Sequence, residues 1–384
     1  MINRFILNEV SYFGPGARKR LPDEVKRLGL HKALVVTDKD LIKFGVADKV
    51  LDVLRESGIP FEVFSEVKPN PTVSNVKAGV KAFADSGADM IVAIGGGSSI
   101  DTAKAVGIIT NNPEFADVVS LEGTADTKKK SVPIIALPTT AGTAAEVTIN
   151  YVITDEVNQK KMVCVDPNDI PMVALVDAEL MYSLPKSLTA ATGMDALTHA
   201  IEGLITKGAW EMSDMFELKA IEMISRYLET AVNEPDNEEA RNGMAVAQYV
   251  AGMAFSNVGL GVVHGMAHPL GAIFDIPHGV ANALLLPVVM EFNAPAALEK
   301  YGDIAKAMGV FQPGMGLHEA ADAAVKAVKD LSIRVGIPQH LAELGIQESD
   351  LERLSKAAFE DVCTPGNPRE VTPAIIYELY KKAL

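Results

Sequence analysis

MIVAIGGGSSIDTAKAVG, residues 90–107, opens on an apolar run, turns through Gly95, Gly96 and Gly97, and continues as a helix-forming segment. A short apolar run ended by glycine reads as a strand buried on both faces, with the helix packed behind it. Glycines at such a turn let the backbone approach a ligand closely, and the helix N-terminus favours an anion. The stretch is not G-x-G-x-x-G, so the ordinary dinucleotide fingerprint fails. A tight turn without a ligand is the lesser alternative reading of the glycines alone.

The same alternation extends to both sides. KALVVTD (32–38) reads as a strand and residues 40–58 as one amphipathic helix ending at Gly58. PFEVFSEV (60–67) is the next strand and residues 73–87 the next helix. Strand–helix alternation predicts a doubly wound parallel sheet, whose ligands bind beyond the carboxyl ends of the strands. The N-terminus, MINRFILNEVSYFG, reads as a strand rather than a signal peptide, because it lacks a long apolar core. Near residue 184 the strand-like runs give out, and segments such as 214–232 and 238–256 carry helical periodicity. The expected organisation is an α/β domain over 1–184 and an all-helical domain over 185–384, with the active site in the cleft between them.

The second half concentrates histidine. The chain has 7 His, and His199, His264, His268 and His278 fall between residues 194 and 280. Asp195 and His199 are four apart, as are His264 and His268, so each pair projects from one helix face. Imidazoles beside a carboxylate suit a divalent first-row transition metal. One such pair would more often be a hydrogen-bonded core pair; two, plus His278 after a Pro, point to a metal centre in otherwise apolar surroundings.

In the first half, IIALPTTAGTAAEVT (134–148) places Thr139, Thr140 and Thr143 at the mouth of another strand, where hydroxyls could hold phosphate or ribose. Asp38, ending an early strand, could accept ribose hydroxyls and repel a 2′-phosphate, favouring NAD over NADP; a helix N-cap is an equal reading.

Charge and composition bound the rest. With 384 residues, 48% hydrophobic and 22% charged, the chain is ordinary for a globular protein of two domains. No apolar run reaches the roughly eighteen residues a membrane span needs. A net charge of -15, with no basic run longer than residues 128–130, argues against nucleic acid or an anionic membrane as partner. Two cysteines, Cys164 and Cys363, exclude a disulfide framework and fit a reducing cytoplasm; both read as small buried hydrophobes.

GGGSSIDTAK, PTTAGTAAEVT, GMDALTHAIEG and GVVHGMAHPLGAIFDIPHG together resemble the iron-dependent (group III) alcohol dehydrogenases, a family of dehydroquinate synthase-like architecture. The likeness runs through nearly the full length, DVCTPGNPRE (361–370) included. It implies that Asp195, His199, His264 and His278 bind one ferrous ion, while His268 is the non-ligand His beside metal and substrate. It also implies that Gly96, Gly97, Ser98 and the Thr139–Thr143 loop hold the pyrophosphate and nicotinamide end of NAD, with Asp38 and Asn70 on the adenosine side. A homodimer is implied as well.

The expected reaction is reversible hydride transfer between NADH and a small uncharged aldehyde, with lactaldehyde and propane-1,2-diol as the pair the resemblance implies. His268 is the candidate proton carrier. Asn150, Phe255 and Leu260 flank the motifs and are pocket candidates, with plain core residues as the alternative. Zinc could replace iron in the site, so a zinc-dependent glycerol dehydrogenase is one rival. A dehydroquinate synthase-like lyase is the other; its substrate would call for several Lys or Arg, of which the motif segments contain few.

Overall fold

A computed structural model of the chain describes residues 2–384. It divides into two compact units, Met1–Ser183 and Leu184–Leu384. The first is built in the order β1 (Val10–Phe13), α1 (Leu21–Leu28), β2 (Ala33–Val36), α2 (Lys39–Lys43), α3 (Asp48–Glu56), β3 (Phe61–Phe64), α4 (Val73–Ser86), β4 (Met90–Gly95), α5 (Gly97–Asn111), β5 (Ile134–Pro138), β6 (Asn150–Asp155), β7 (Lys160–Val165) and β8 (Val173–Val176). Six strands form one parallel sheet in the order β1-β8-β5-β4-β2-β3.

Strand alternation divides the sheet's side chains between two cores. Leu34, Val36, Ile91, Ala93, Ile134 and Ala136 join Val76 and Phe83 of α4 and Ile100 and Val106 of α5. Ala33, Val35, Val92, Ile94, Ile135 and Leu137 join Leu21 and Val25 of α1 and Val50 and Leu54 of α3. Both faces are covered, which is why the central strands contain almost nothing but apolar residues.

Three local expectations need correcting. The N-terminal strand is confined to Val10–Phe13, where it adds to β8 in parallel. The helix expected over 40–58 is two helices, because α2 stops in a left-handed turn at Gly45 (φ 71°). There the Val46 N–H reaches back to Leu41 O and closes the helix end. Between the Thr-rich loop and β8 the chain also makes an antiparallel hairpin, β6–β7, that the parallel pattern did not foretell.

In the second unit the described residues after Leu184 form helices and turns: α6 (Lys186–Ile205), α7 (Glu211–Asn233), α8 (Glu238–Val258), α9 (Val262–Phe274), α10 (His278–Asn293), α11 (Leu298–Ala307), α12 (Leu317–Arg334), α13 (Leu351–Phe359) and α14 (Pro373–Ala383). His278–Ala296 is long and apolar enough to cross a membrane by composition. It also carries the buried Asn282 and Asn293, which suits a core helix.

Candidate active site

In the first unit, the two loops singled out by sequence meet. The Thr139 N–H donates to Gly95 O at 3.0 Å. A Cβ on Gly96 would lie 3.2 Å from Thr140 Cγ2, and one on Gly97 3.0 Å from Thr143 Cγ2. The glycines therefore admit the threonine loop itself, a closer constraint than approach to a ligand. Gly96 caps α5 without a side-chain hydrogen bond, so the N–H groups of the first turn, at Gly97 and Ser98, stay available to an anion.

Asp38 caps α2, accepting the Leu41 N–H at 2.8 Å, which is the second of the two readings it allowed. Asn70 sits in the left-handed region (φ 54°) and accepts from Lys161 Nζ at 2.9 Å. Lys161 was not foreseen: it stands in β7, within the unanticipated hairpin. Asn150 opens β6; its backbone oxygen accepts from the fully buried Lys104, and its Oδ1 is buried without a partner among the described residues.

In the second unit, helix α6 presents Asp195 and His199 one turn apart, α9 presents His264, and His278 is the first residue of α10, set by Pro277 at the cap. One ligand atom from each of these four lies within 4.8 Å of the others. Asp195, His199 and His264 are buried and His278 is partly exposed.

Three acceptors can be seen converging. Asn282 Nδ2 lies 2.7 Å from Asp195 Oδ1 and 3.1 Å from Nε2 of both His264 and His278. Its own Oδ1 is buried with no partner among the described residues. Three lone pairs aimed at one place, in an apolar interior, fit a divalent cation, and the nitrogen-rich donor set suits iron or zinc.

The support around the cluster is equally specific. Glu202, two helical turns after Asp195, accepts the backbone N–H of Val263 at 2.7 Å and lies 2.7 Å from His264 Nδ1. A carboxylate there holds the proton on Nδ1 and leaves Nε2 free to ligate. Burial pushes Glu202 up to about 7, against the pull of the N–H groups it accepts, and burial lowers His264 to about 4. Phe255 stacks on the His199 ring, 4.2 Å between centroids and 10° from parallel. Leu260, buried at the α8–α9 turn, has its carbonyl accepting from Thr206.

His268 lies outside the four-residue group. It stacks beside His278 at 5.4 Å, and its Nδ1 sits 2.7 Å from Asp361 Oδ2. Cys363 is not the buried hydrophobe expected: it is only partly buried, and its N–H donates to Asp361 Oδ1 at 2.8 Å. Burial would raise Asp361, yet His268 and the Cys363 N–H bring it below the ordinary carboxylate range.

Sequence reading missed Glu202, Asn282 and Asp361. Glu202 could have been found, since 195, 199 and 202 share a helix face. Asn282 is likewise one turn from His278. Asp361 is 93 positions from His268 and left no local signal.

The description "Iron-containing alcohol dehydrogenase" matches residues 8–178, and "Fe-containing alcohol dehydrogenase family, C-terminal" matches residues 189–384. Lactaldehyde reductase of Escherichia coli (strain K12) is 58% identical over 383 residues, covering 100% of both chains. The crystal structure of a 1,3-propanediol oxidoreductase superposes with a TM-score of 0.97 at 42% identity, covering 100% of both. Sulfoacetaldehyde reductase from Bifidobacterium kashiwanohense, solved with NAD+, superposes at 0.88 with 33% identity, covering 100% of this chain and 99% of that one. A parallel α/β unit followed by a helical unit, of dehydroquinate synthase-like kind, is thus shared with relatives along the whole length. The chain belongs to the iron-containing alcohol dehydrogenase family.

Proposed function

We propose that this NAD-dependent iron alcohol dehydrogenase interconverts lactaldehyde and propane-1,2-diol, with ferrous iron as its resident ion. The observation that carries the reading is the buried convergence of Asp195, His199, His264 and His278. Those four would hold the ion, which supplies Lewis-acid polarisation of a carbonyl oxygen. Gly96, Gly97, Ser98, Thr139, Thr140 and Thr143 would hold the pyrophosphate and nicotinamide end of NADH, the hydride source, with Asn70 and Asp38 on the adenosine side. The reading requires both sets of groups, on domains 1–184 and 185–384, to serve one reaction.

Around them the chain's own residues orient and exclude. Glu202 fixes the His264 ring, and Phe255 covers one face of His199 and keeps water from it. His268 is the group to carry a proton to and from the substrate oxygen. No Lys or Arg hydrogen-bonds to the cluster among the described residues, which suits a short uncharged substrate. Asn150, Phe255 and Leu260 are proposed as its lining. A cytoplasmic homodimer belongs to the same reading, supported by the free thiols of Cys164 and Cys363 and by β1 as an edge strand.

The test follows NADH absorbance with lactaldehyde beside a phosphorylated and a carboxylated aldehyde, each with NADPH in parallel. Lactaldehyde with NADH should give the highest kcat/KM. No oxidation of NADH with any short aldehyde, in protein that holds stoichiometric iron, would overturn the proposal.

A further inference from the structure

Helix α9 carries two histidines one turn apart whose Nδ1 atoms both meet carboxylates: His264 meets Glu202, and His268 meets Asp361. Only the first belongs to the four-residue metal group. The second pair is nearly as enclosed, with side chains 7% and 9% exposed. Asp361 is held at its other oxygen as well, which accepts the Cys363 N–H at 2.8 Å. The turn that bears it is seated against α9 at Gly265, where a Cβ would fall 2.1 Å from Thr364 Oγ1. That contact lies one residue after the ligand His264 and three before His268.

We propose that Asp361 is a positioning residue that holds His268 by Nδ1 and reserves Nε2 for proton exchange with the substrate. A carboxylate only accepts, so the ring's Nδ1 carries the hydrogen and the neutral imidazole keeps its lone pair on Nε2. The ring stands 5.4 Å from His278 and 6.1 Å from His264, centroid to centroid, beside the metal group and outside it. This rests on the role given to His268 under the proposed function. His268, Asp361 and Cys363 could also be read as a second metal site. The 2.7 Å hydrogen bond speaks against it by engaging His268 Nδ1 and Asp361 together.

The experiment uses the full chain with histidine labelled in 15N. In zinc-loaded wild-type protein, imidazole two-bond spectra should show His268 with hydrogen on Nδ1; hydrogen on Nε2 overturns the proposal without any variant. D361N, whose amide can donate, should move the hydrogen to Nε2. In iron-loaded protein it should lower kcat roughly tenfold or more. KM for NADH and one equivalent of metal per chain should stay unchanged. In an H268Q background D361N should lower kcat no further. A fall in kcat with the tautomer unchanged, a switched tautomer with kcat unchanged, or a drop from two metal equivalents to one each overturns it. The tautomer is readable whether or not the wild type reduces lactaldehyde, so failure of the proposed substrate and failure of this inference are separate results.

Discussion

The two candidate sites are made of different material. In the first unit the groups offered to a cofactor are backbone N–H groups at the start of α5 and short hydroxyls, framed by glycines that yield space to Thr140 and Thr143. In the second, the groups are imidazoles and carboxylates, each oriented by a partner from elsewhere in the chain: Glu202 for His264, Asp361 for His268, Phe255 for His199. A site of backbone donors is held by main-chain geometry, so side-chain changes should disturb it by displacement. A site of side-chain donors is held by its supports, so it should fail group by group.

The largest expected effect lies in the second site. Asp195→Asn should lose bound metal and lower kcat/KM roughly a thousandfold, since Lewis-acid stabilisation is worth several kcal/mol and each 1.36 kcal/mol is a factor of ten. Elemental analysis beside NADH kinetics checks it, and full activity without metal would contradict it. Glu202→Gln comes next. It keeps the shape but no longer fixes the His264 tautomer, and should weaken metal binding about 10- to 100-fold, read by chelator competition.

Gly97→Ala addresses the first site. Its Cβ would press on Thr143 Cγ2 at 3.0 Å and shift the loop. KM for NADH should rise roughly tenfold while metal content stays at one equivalent, because a small displacement is felt by whatever the loop positions. A change in metal content with no change in KM would show that the two sites are not held independently.

Glu217 on α7 is fully buried, and neither oxygen has a partner among the described residues. Burial, with Asp214 nearby, raises it well above the ordinary range, so the folded group stays neutral. The unfolded group ionises near its ordinary pKa of about 4.3. From there upward folding loses about 1.36 kcal/mol per pH unit, until the folded group ionises as well. The term is therefore fully favourable only at acid pH and fades as pH rises. Glu217→Gln should raise Tm relative to wild type by a margin that widens as pH rises above the ordinary carboxyl range, with kcat little changed. A margin that stays constant with pH would contradict it.

This difference in material also governs what could be read in advance. The parallel sheet was legible because the strands at 33–36, 90–95 and 134–138 are buried on both faces and show as unbroken apolar runs. The cluster of Asp195, His199, His264 and His278 was legible in part because imidazole and carboxylate are metal-binding side chains, and helical geometry puts 195 with 199 on one face. Asp38 stayed ambiguous because a cap and a ribose acceptor ask for the same carboxylate at the same place. The hairpin β6–β7 was hidden in a segment without glycine punctuation at its turn, where Asp155 accepts the N–H groups of Val157 and Asn158 instead. Asp361 was invisible because its meaning depends on a fold that carries it to a histidine 93 residues away.

The proposed function requires that four side chains hold one iron on which turnover depends. Anaerobic chelation followed by titration with ferrous ion, with NADH oxidation by lactaldehyde followed at each addition, tests it most directly. Activity should rise in proportion to bound iron and saturate at one equivalent per chain. Full turnover in the metal-free protein, or iron bound as tightly after Asp195→Asn, would contradict it.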